Sequence, residues 1–119
     1  MQTVDPAGAD WYTPKSQADK PEESRVRFKI RGLVGTEAMD VSFYTDADGR
    51  MSMTSRGGSA CLRAGLLGWE NLTGPDGTPM DFDARDWKAN VARIPPIDNI
   101  DLALEIWNRT FLSAEQKKT

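Results

Sequence analysis

The chain has no histidine and a single cysteine, Cys61, among its 119 residues. The first absence removes the Ser-His-Asp triad, the Cys-His dyad, His-ligated zinc and any imidazole base working near neutral pH. The second removes an intramolecular disulfide and a multi-thiolate metal site. Long apolar runs are missing too. The longest, Ala64-Gly65-Leu66-Leu67-Gly68-Trp69, falls far short of the roughly 20 residues that span a bilayer. The first ten residues hold neither a basic n-region nor an apolar h-region, so no signal peptide is expected. A lone cysteine without an export signal fits a reducing, cytosolic place of synthesis. Most routes to catalysis are closed, and no catalytic, metal or cofactor residue is assigned. On chemistry alone the chain reads as a soluble globular domain.

What is present is 15 basic and 18 acidic residues, a net charge of −3, with 39% apolar residues. At about 100–200 residues per domain, the length predicts one domain with some tail. Charge is placed unevenly. Residues 25–35 hold Arg25, Arg27, Lys29 and Arg31 with no acid, whereas the segments on either side are acidic. An acidic protein gains little from counterion release, so these bases read as the wet face of a strand and nucleic acid is not expected as a partner.

Residues 1–24 are polar, rich in Pro, Asp, Ser and Lys, and predict a flexible arm ahead of a globular domain over 25–119. Within the arm, Trp11 and Tyr12 read either as a docking element or as rings folded back on the core. Val26, Phe28 and Ile30 alternate with basic residues, the pattern of a half-buried strand. Over 36–54 two readings stand. Thr36-Glu37-Ala38-Met39 suits a short helix, while Val41, Phe43 and Thr45 around Asp46-Ala47-Asp48-Gly49 suit a hairpin. Ser59 to Leu67 reads as a helix stopped at Gly68. A small hairpin or turn-back loop over 69–82 follows, then a helix capped by Asp83 and ended by Pro95-Pro96. Ile100, Ala103, Leu104, Trp107 and Phe111 form one helical stripe, and Ser113-Ala114-Glu115-Gln116 has capping-box spacing. The expected fold class is α+β, a mostly helical small single domain with an N-terminal strand and one or two short hairpins.

The chemically suggestive clusters have plainer explanations. Asp46-Ala47-Asp48-Gly49 lacks the further ligands of a calcium loop. Asp76, Asp81, Asp83 and Asp86 sit where carboxylates serve turns and helix starts. Arg56-Gly57-Gly58-Ser59 lacks the Lys-Ser or Lys-Thr of a phosphate loop and reads as a flexible joint. Cys61 reads as a buried thiol, and Trp69, Trp87 and Trp107 as core anchors.

Gly65-Leu66-Leu67-Gly68-Trp69-Glu70-Asn71-Leu72, followed by Asp76-Gly77-Thr78-Pro79-Met80-Asp81-Phe82, resembles the GWEN(F/L) … DG-x-P-x-x-F signature of small tailed-bacteriophage tail assembly chaperones. Upstream, Tyr12-Thr13-Pro14-Lys15-Ser16 and Arg27-Phe28-Lys29-Ile30-Arg31-Gly32-Leu33 are similar to that family's opening. The ending Leu112-Ser113-Ala114-Glu115-Gln116-Lys117-Lys118 is similar to its close. The likeness runs from about Trp11 to the C-terminus. Leu72 and Thr73-Gly74-Pro75 depart from the commoner aromatic and acidic lead-in.

The resemblance implies a non-enzymatic helper that coats the tape-measure protein and recruits tail-tube subunits in the host bacterial cytoplasm, with self-association left open. No membrane or small-molecule ligand is implied. Accepting an amphipathic helix in a groove is the implied mode, with Trp69, Leu72, Phe82 and Trp107 near the surface that does it, although each also reads as core. The alternative is a structural virion component, a head–tail connector or tail protein whose arm, bearing Trp11 and Tyr12, laces subunits together in the particle.

Overall fold

Alternating burial along 26–30 does build a strand, and the rest of the fold is arranged around it. The computed structural model describes residues 9–118, with side chains from Ala9 to Phe111. The first eight residues of the expected arm lie outside the described residues. In chain order the elements are β1 (Asp10–Tyr12), β2 (Arg27–Ile30), β3 (Phe43–Thr45), β4 (Met51–Met53), α1 (Ser55–Gly65), β5 (Leu66–Glu70), α2 (Trp87–Arg93) and α3 (Pro96–Lys118). Short 3-10 turns cover Lys15–Gln17, Glu22–Ser24 and Gly35–Asp40. Strand β2 is the centre of an antiparallel sheet, order β1-β2-β5, and β3 and β4 form a separate hairpin. Phe28 and Ile30 are fully buried. Arg27 and Lys29 face outward, where Arg27 pairs with Glu70 across the sheet.

The expectation of a mostly helical domain is overturned. Helix accounts for about 45% and strand for 19%, in two small sheets. The main reason is Leu66–Glu70, whose first two residues sequence periodicity assigned to the end of a helix. Strand β5 instead pairs with β2, Phe28 opposite Trp69 and Ile30 opposite Leu66. Local propensity is weak beside such tertiary pairing. Gly65 makes the switch possible. A Cβ there would lie 2.6 Å from Ile106 Cγ2 and 2.9 Å from the Arg31 carbonyl oxygen, so only glycine lets α1 end hard against α3.

The expected arm also differs over its described part. Strand β1 pairs with β2, Trp11 opposite Lys29. Beyond it, Tyr12 Oη donates to Asp101 Oδ1 (2.6 Å), Lys15 N to Asp101 Oδ2 (2.9 Å) and Ser16 Oγ to Asp98 Oδ1 (2.6 Å). The buried Gln17 accepts from Val26 N at 3.1 Å. A polar segment that cannot form its own core is thus ordered by hydrogen bonds to carboxylates of α3, which are stronger than neutral ones.

Between 36 and 54 both readings contribute. A 3-10 turn, Gly35–Asp40, precedes the β3–β4 hairpin. Asp46 Oδ1 accepts from Asp48 N and Arg50 N, both at 2.9 Å, and closes the hairpin tip. The Pro95-Pro96 pair that ends α2 also opens α3, with Pro96 as its first residue, where a missing N–H costs nothing. The helix then continues to Lys118, through the capping-box sequence rather than restarting at it.

The core joins the inner face of the β1-β2-β5 sheet to α1 and α3. Phe28, Ile30, Cys61, Leu102 and Ile106 are fully buried, with Val26, Leu33, Leu62, Leu66, Leu72, Ile94 and Ala103 around them.

Candidate functional site

The stripe expected to bury α3 lies mostly on its outer side. Residues 102, 103 and 106 face the core, whereas Ile100 is 62% exposed, Leu104 48% and Phe111 52%, with Ile97 at 70%. At 100° per residue these four occupy a single arc of the helix. The helix therefore carries two apolar faces. The sequence stripe followed one of them, sharing only Ala103 with the buried set. A helix apolar on opposite sides is normally buried on both.

The hairpin stands beside this outer face, and the space between them is a groove of about 760 Å³. Leu62 and Ala103, both buried, lie at its base. Phe43, Met51 and Met53 line one side and Ile100, Leu104 and Trp107 the other. Alternation in the hairpin puts Phe43 opposite Met53 and Thr45 opposite Met51, so these side chains share one face. Trp107 sits between Phe43 (tilted, centroids 5.1 Å apart) and Phe111 (edge to face, 4.9 Å), joining hairpin to helix.

A polar node fixes the hairpin to α1. Thr54 caps the helix by accepting from Gly57 N at 3.0 Å, its backbone N–H donates to the Ser42 carbonyl at 3.0 Å, and the Ser42 and Thr54 hydroxyls hydrogen-bond. A Cβ on Gly57 would meet the Ser42 oxygen at 2.6 Å. The Arg56-Gly57-Gly58-Ser59 segment, expected to be a flexible joint, is the first turn of α1, and its glycine is required by the close approach of the hairpin base.

Two further surface clefts have similar volumes, about 680 and 750 Å³, so size does not single out the groove. Chemistry does. Both other clefts contain charged side chains, including Lys20 and Asp98 in one and Arg56 and Arg63 in the other. The groove between hairpin and α3 has none. Its methionines add a deformable surface suited to apolar partners of varied shape.

Of the residues singled out from sequence, only Trp107 lines this groove. Trp69 and Phe82 form a separate cluster, edge to face at 5.1 Å, with Phe28 next to Trp69 at 6.3 Å. Trp69 Nε1 donates to the Met80 carbonyl at 2.8 Å, and Leu72 is buried. The Gly-Trp-Glu-Asn run thus has local structural work: Trp69 holds the 72–82 loop, Glu70 pairs with Arg27, and Asn71 takes a left-handed turn at φ 66°. The Asn71 amide then donates to the Glu23 and Arg25 carbonyls, at 3.3 and 2.9 Å. Trp11 lies under Arg27 at 5.7 Å, and Tyr12 joins β1 to α3. Burial and the neighbouring Asp101 raise the Tyr12 hydroxyl far above the usual phenol range.

Burial also pushes the Cys61 thiol up to about 11, so it is a poor nucleophile. Among the described residues no group of three or more Cys, Asp or Glu could hold a metal ion. Nor is any helix among them long and apolar enough to cross a membrane. Sequence reading missed Phe43, Met51, Met53, Ile97 and Ile100 as a surface. Two signals were available: the Met51/Met53 alternation, and a second stripe, Leu102 and Ile106, beside the first on α3. No family model matches the chain, and no curated protein or solved structure is similar to it at a significant level.

Proposed function

We propose that the chain is a non-enzymatic tail assembly chaperone of long-tailed bacteriophages, acting in the host bacterial cytoplasm. It holds amphipathic helices of the tape-measure protein until tail-tube subunits replace it. The observation that carries this reading is the uncharged groove between the β3–β4 hairpin and the outer face of α3. A client helix laid there contributes apolar side chains at i, i+3 or i+4 and i+7, while its polar face stays in water. The motif resemblance described above supports the choice of client. Release by competition requires modest affinity, which a shallow apolar groove without ion pairs supplies.

The test is co-expression with the tape-measure protein of the same phage, together with mass spectrometry of purified virions. Recovery of a tape-measure complex that is lost in Ile100→Asp, with the chain absent from virions, is the expected result. Stoichiometric recovery from virions would overturn it in favour of a retained structural component. That alternative drew its support from a mobile arm bearing Trp11 and Tyr12, and both residues are laid against the sheet and α3.

A further inference from the structure

The outer face of α3 exposes more apolar area than an isolated domain has reason to show. From their fractional exposures, Met51, Ile97, Ile100, Leu104 and Phe111 present roughly 600 Å² to solvent, at the top of the range for the largest patch on a monomer. A stable interface covers about 800 Å² per partner and is about 65% apolar between identical subunits, so each copy must supply roughly 500 Å² of apolar surface. The patch meets that requirement without any other part of the molecule.

Shape and charge point the same way. The ridge formed by Ile97, Ile100, Leu104 and Phe111 runs beside the groove between α3 and the hairpin. Rotating one copy by 180° about an axis that lies in this face, parallel to α3 and between ridge and groove, sets each ridge against the other copy's groove, the self-complementary arrangement of a two-fold interface. The chain is acidic, with net charge −3, so two copies repel weakly at most orientations. The groove has no charged lining residue, so a ridge seated in it meets no charge there.

From this we infer that the occupant of the groove in the free protein is a second copy of the chain, giving a two-fold dimer through the outer face of α3 and the β3–β4 hairpin. The inference uses the same groove as the proposed function but does not depend on the identity of the client. Under both, a client helix and the second copy compete for one surface, and the dimer is the resting form.

Sedimentation velocity on the full chain over two decades of micromolar concentration tests it. The expected species has twice the 13.2 kDa chain mass. Leu104→Glu raises the dissociation constant by on the order of thirtyfold or more, the effect of removing a central apolar anchor. Leu67→Glu, on an exposed leucine of β5 outside the groove, leaves the dimer intact. Circular dichroism and a cooperative melt confirm that each variant folds, and Ile100→Lys replaces Leu104→Glu if that variant does not. A monomer at every concentration overturns the inference, and so does a dimer indifferent to both α3 substitutions. A monomer that still recovers the tape-measure protein overturns the dimer alone. A dimer that recovers none overturns the chaperone reading alone.

Discussion

Two aromatic clusters of similar internal geometry meet opposite fates in this fold. Phe28, Trp69 and Phe82 form edge-to-face pairs at 6.3 and 5.1 Å, and Phe43, Trp107 and Phe111 form tilted and edge-to-face pairs at 5.1 and 4.9 Å. The first is closed by the loop 72–82, to which Trp69 is fastened by its indole N–H, and it rests on a fully buried Phe28. Among the described residues no further layer of chain covers the second, and Phe111 stays half exposed. Ring contacts alone therefore do not distinguish a core from a docking surface. Whether another segment covers the rings does.

Substitutions at the two clusters separate these roles. Phe28→Ala is expected to cost about 3–5 kcal/mol in urea unfolding, the range for deleting a buried ring, whereas Trp107→Ala costs roughly half as much. Equal costs would break the comparison. Gly57→Ala comes next, at about 1–3 kcal/mol, because the new methyl overpacks against the Ser42 carbonyl at the hairpin base. Its signature is a displaced hairpin, read by NMR shift changes at Phe43 and Trp107 that leave Trp69 unmoved.

Tyr12→Phe removes a hydrogen bond to a carboxylate and is expected to cost about 1–2 kcal/mol. Because the folded hydroxyl pKa is raised, this stability is complete below the ordinary phenol pKa of 10.0 and is lost as pH rises above it. The wild-type advantage over the Phe variant should shrink in alkaline melts. Glu37→Gln has a smaller effect with the opposite sign. The Arg31 guanidinium, bidentate at 2.8 Å, lowers the Glu37 pKa against an opposing desolvation. That contribution is present above the ordinary glutamate range and disappears as pH falls through the lowered value, so the two melting curves should converge in acid. Leu104→Ser is the smallest, within about 0.5 kcal/mol of wild type in unfolding at concentrations low enough to keep the chain monomeric, since half of that side chain is already in water in the monomer. A large loss there would place Leu104 in the core and close the groove.

Sequence patterns located β2, the hairpin turn at Asp46 to Gly49, the loop 72–82 and the existence of the last helix. These are features written in neighbouring residues: alternation, an Asp-Gly turn, a Pro-Asp-Gly break, a 3.6-residue period. What was not legible depends on residues far apart in the chain. Leu66 and Leu67 look helical until β2 supplies the strand's hydrogen-bond partners. The 9–24 segment looks like an arm until Asp98 and Asp101 receive it. The phase of α3 is ambiguous because both of its faces are apolar, and local sequence cannot say which of two good stripes faces inward. The candidate site was missed for the same reason, Trp107 excepted, since tryptophan content drew attention to Trp69, which the fold packs between Phe28 and Phe82.

The Tyr12–Asp101 hydrogen bond joins residues 89 apart in the chain, and Lys15 and Ser16 reach α3 across separations of 86 and 82. Contacts of such long range form late, because the intervening loop must close before they contribute. On the ribosome, β1 and the turn that follows it emerge before α3 and have no partner on it until that helix has been translated. The sheet and the hairpin can form earlier, but the clasp across the domain waits for nearly the whole chain. A product cut short before residue 98 would therefore lose the anchorage of residues 10–17 along with the last helix, and proteases would meet that segment without its clasp.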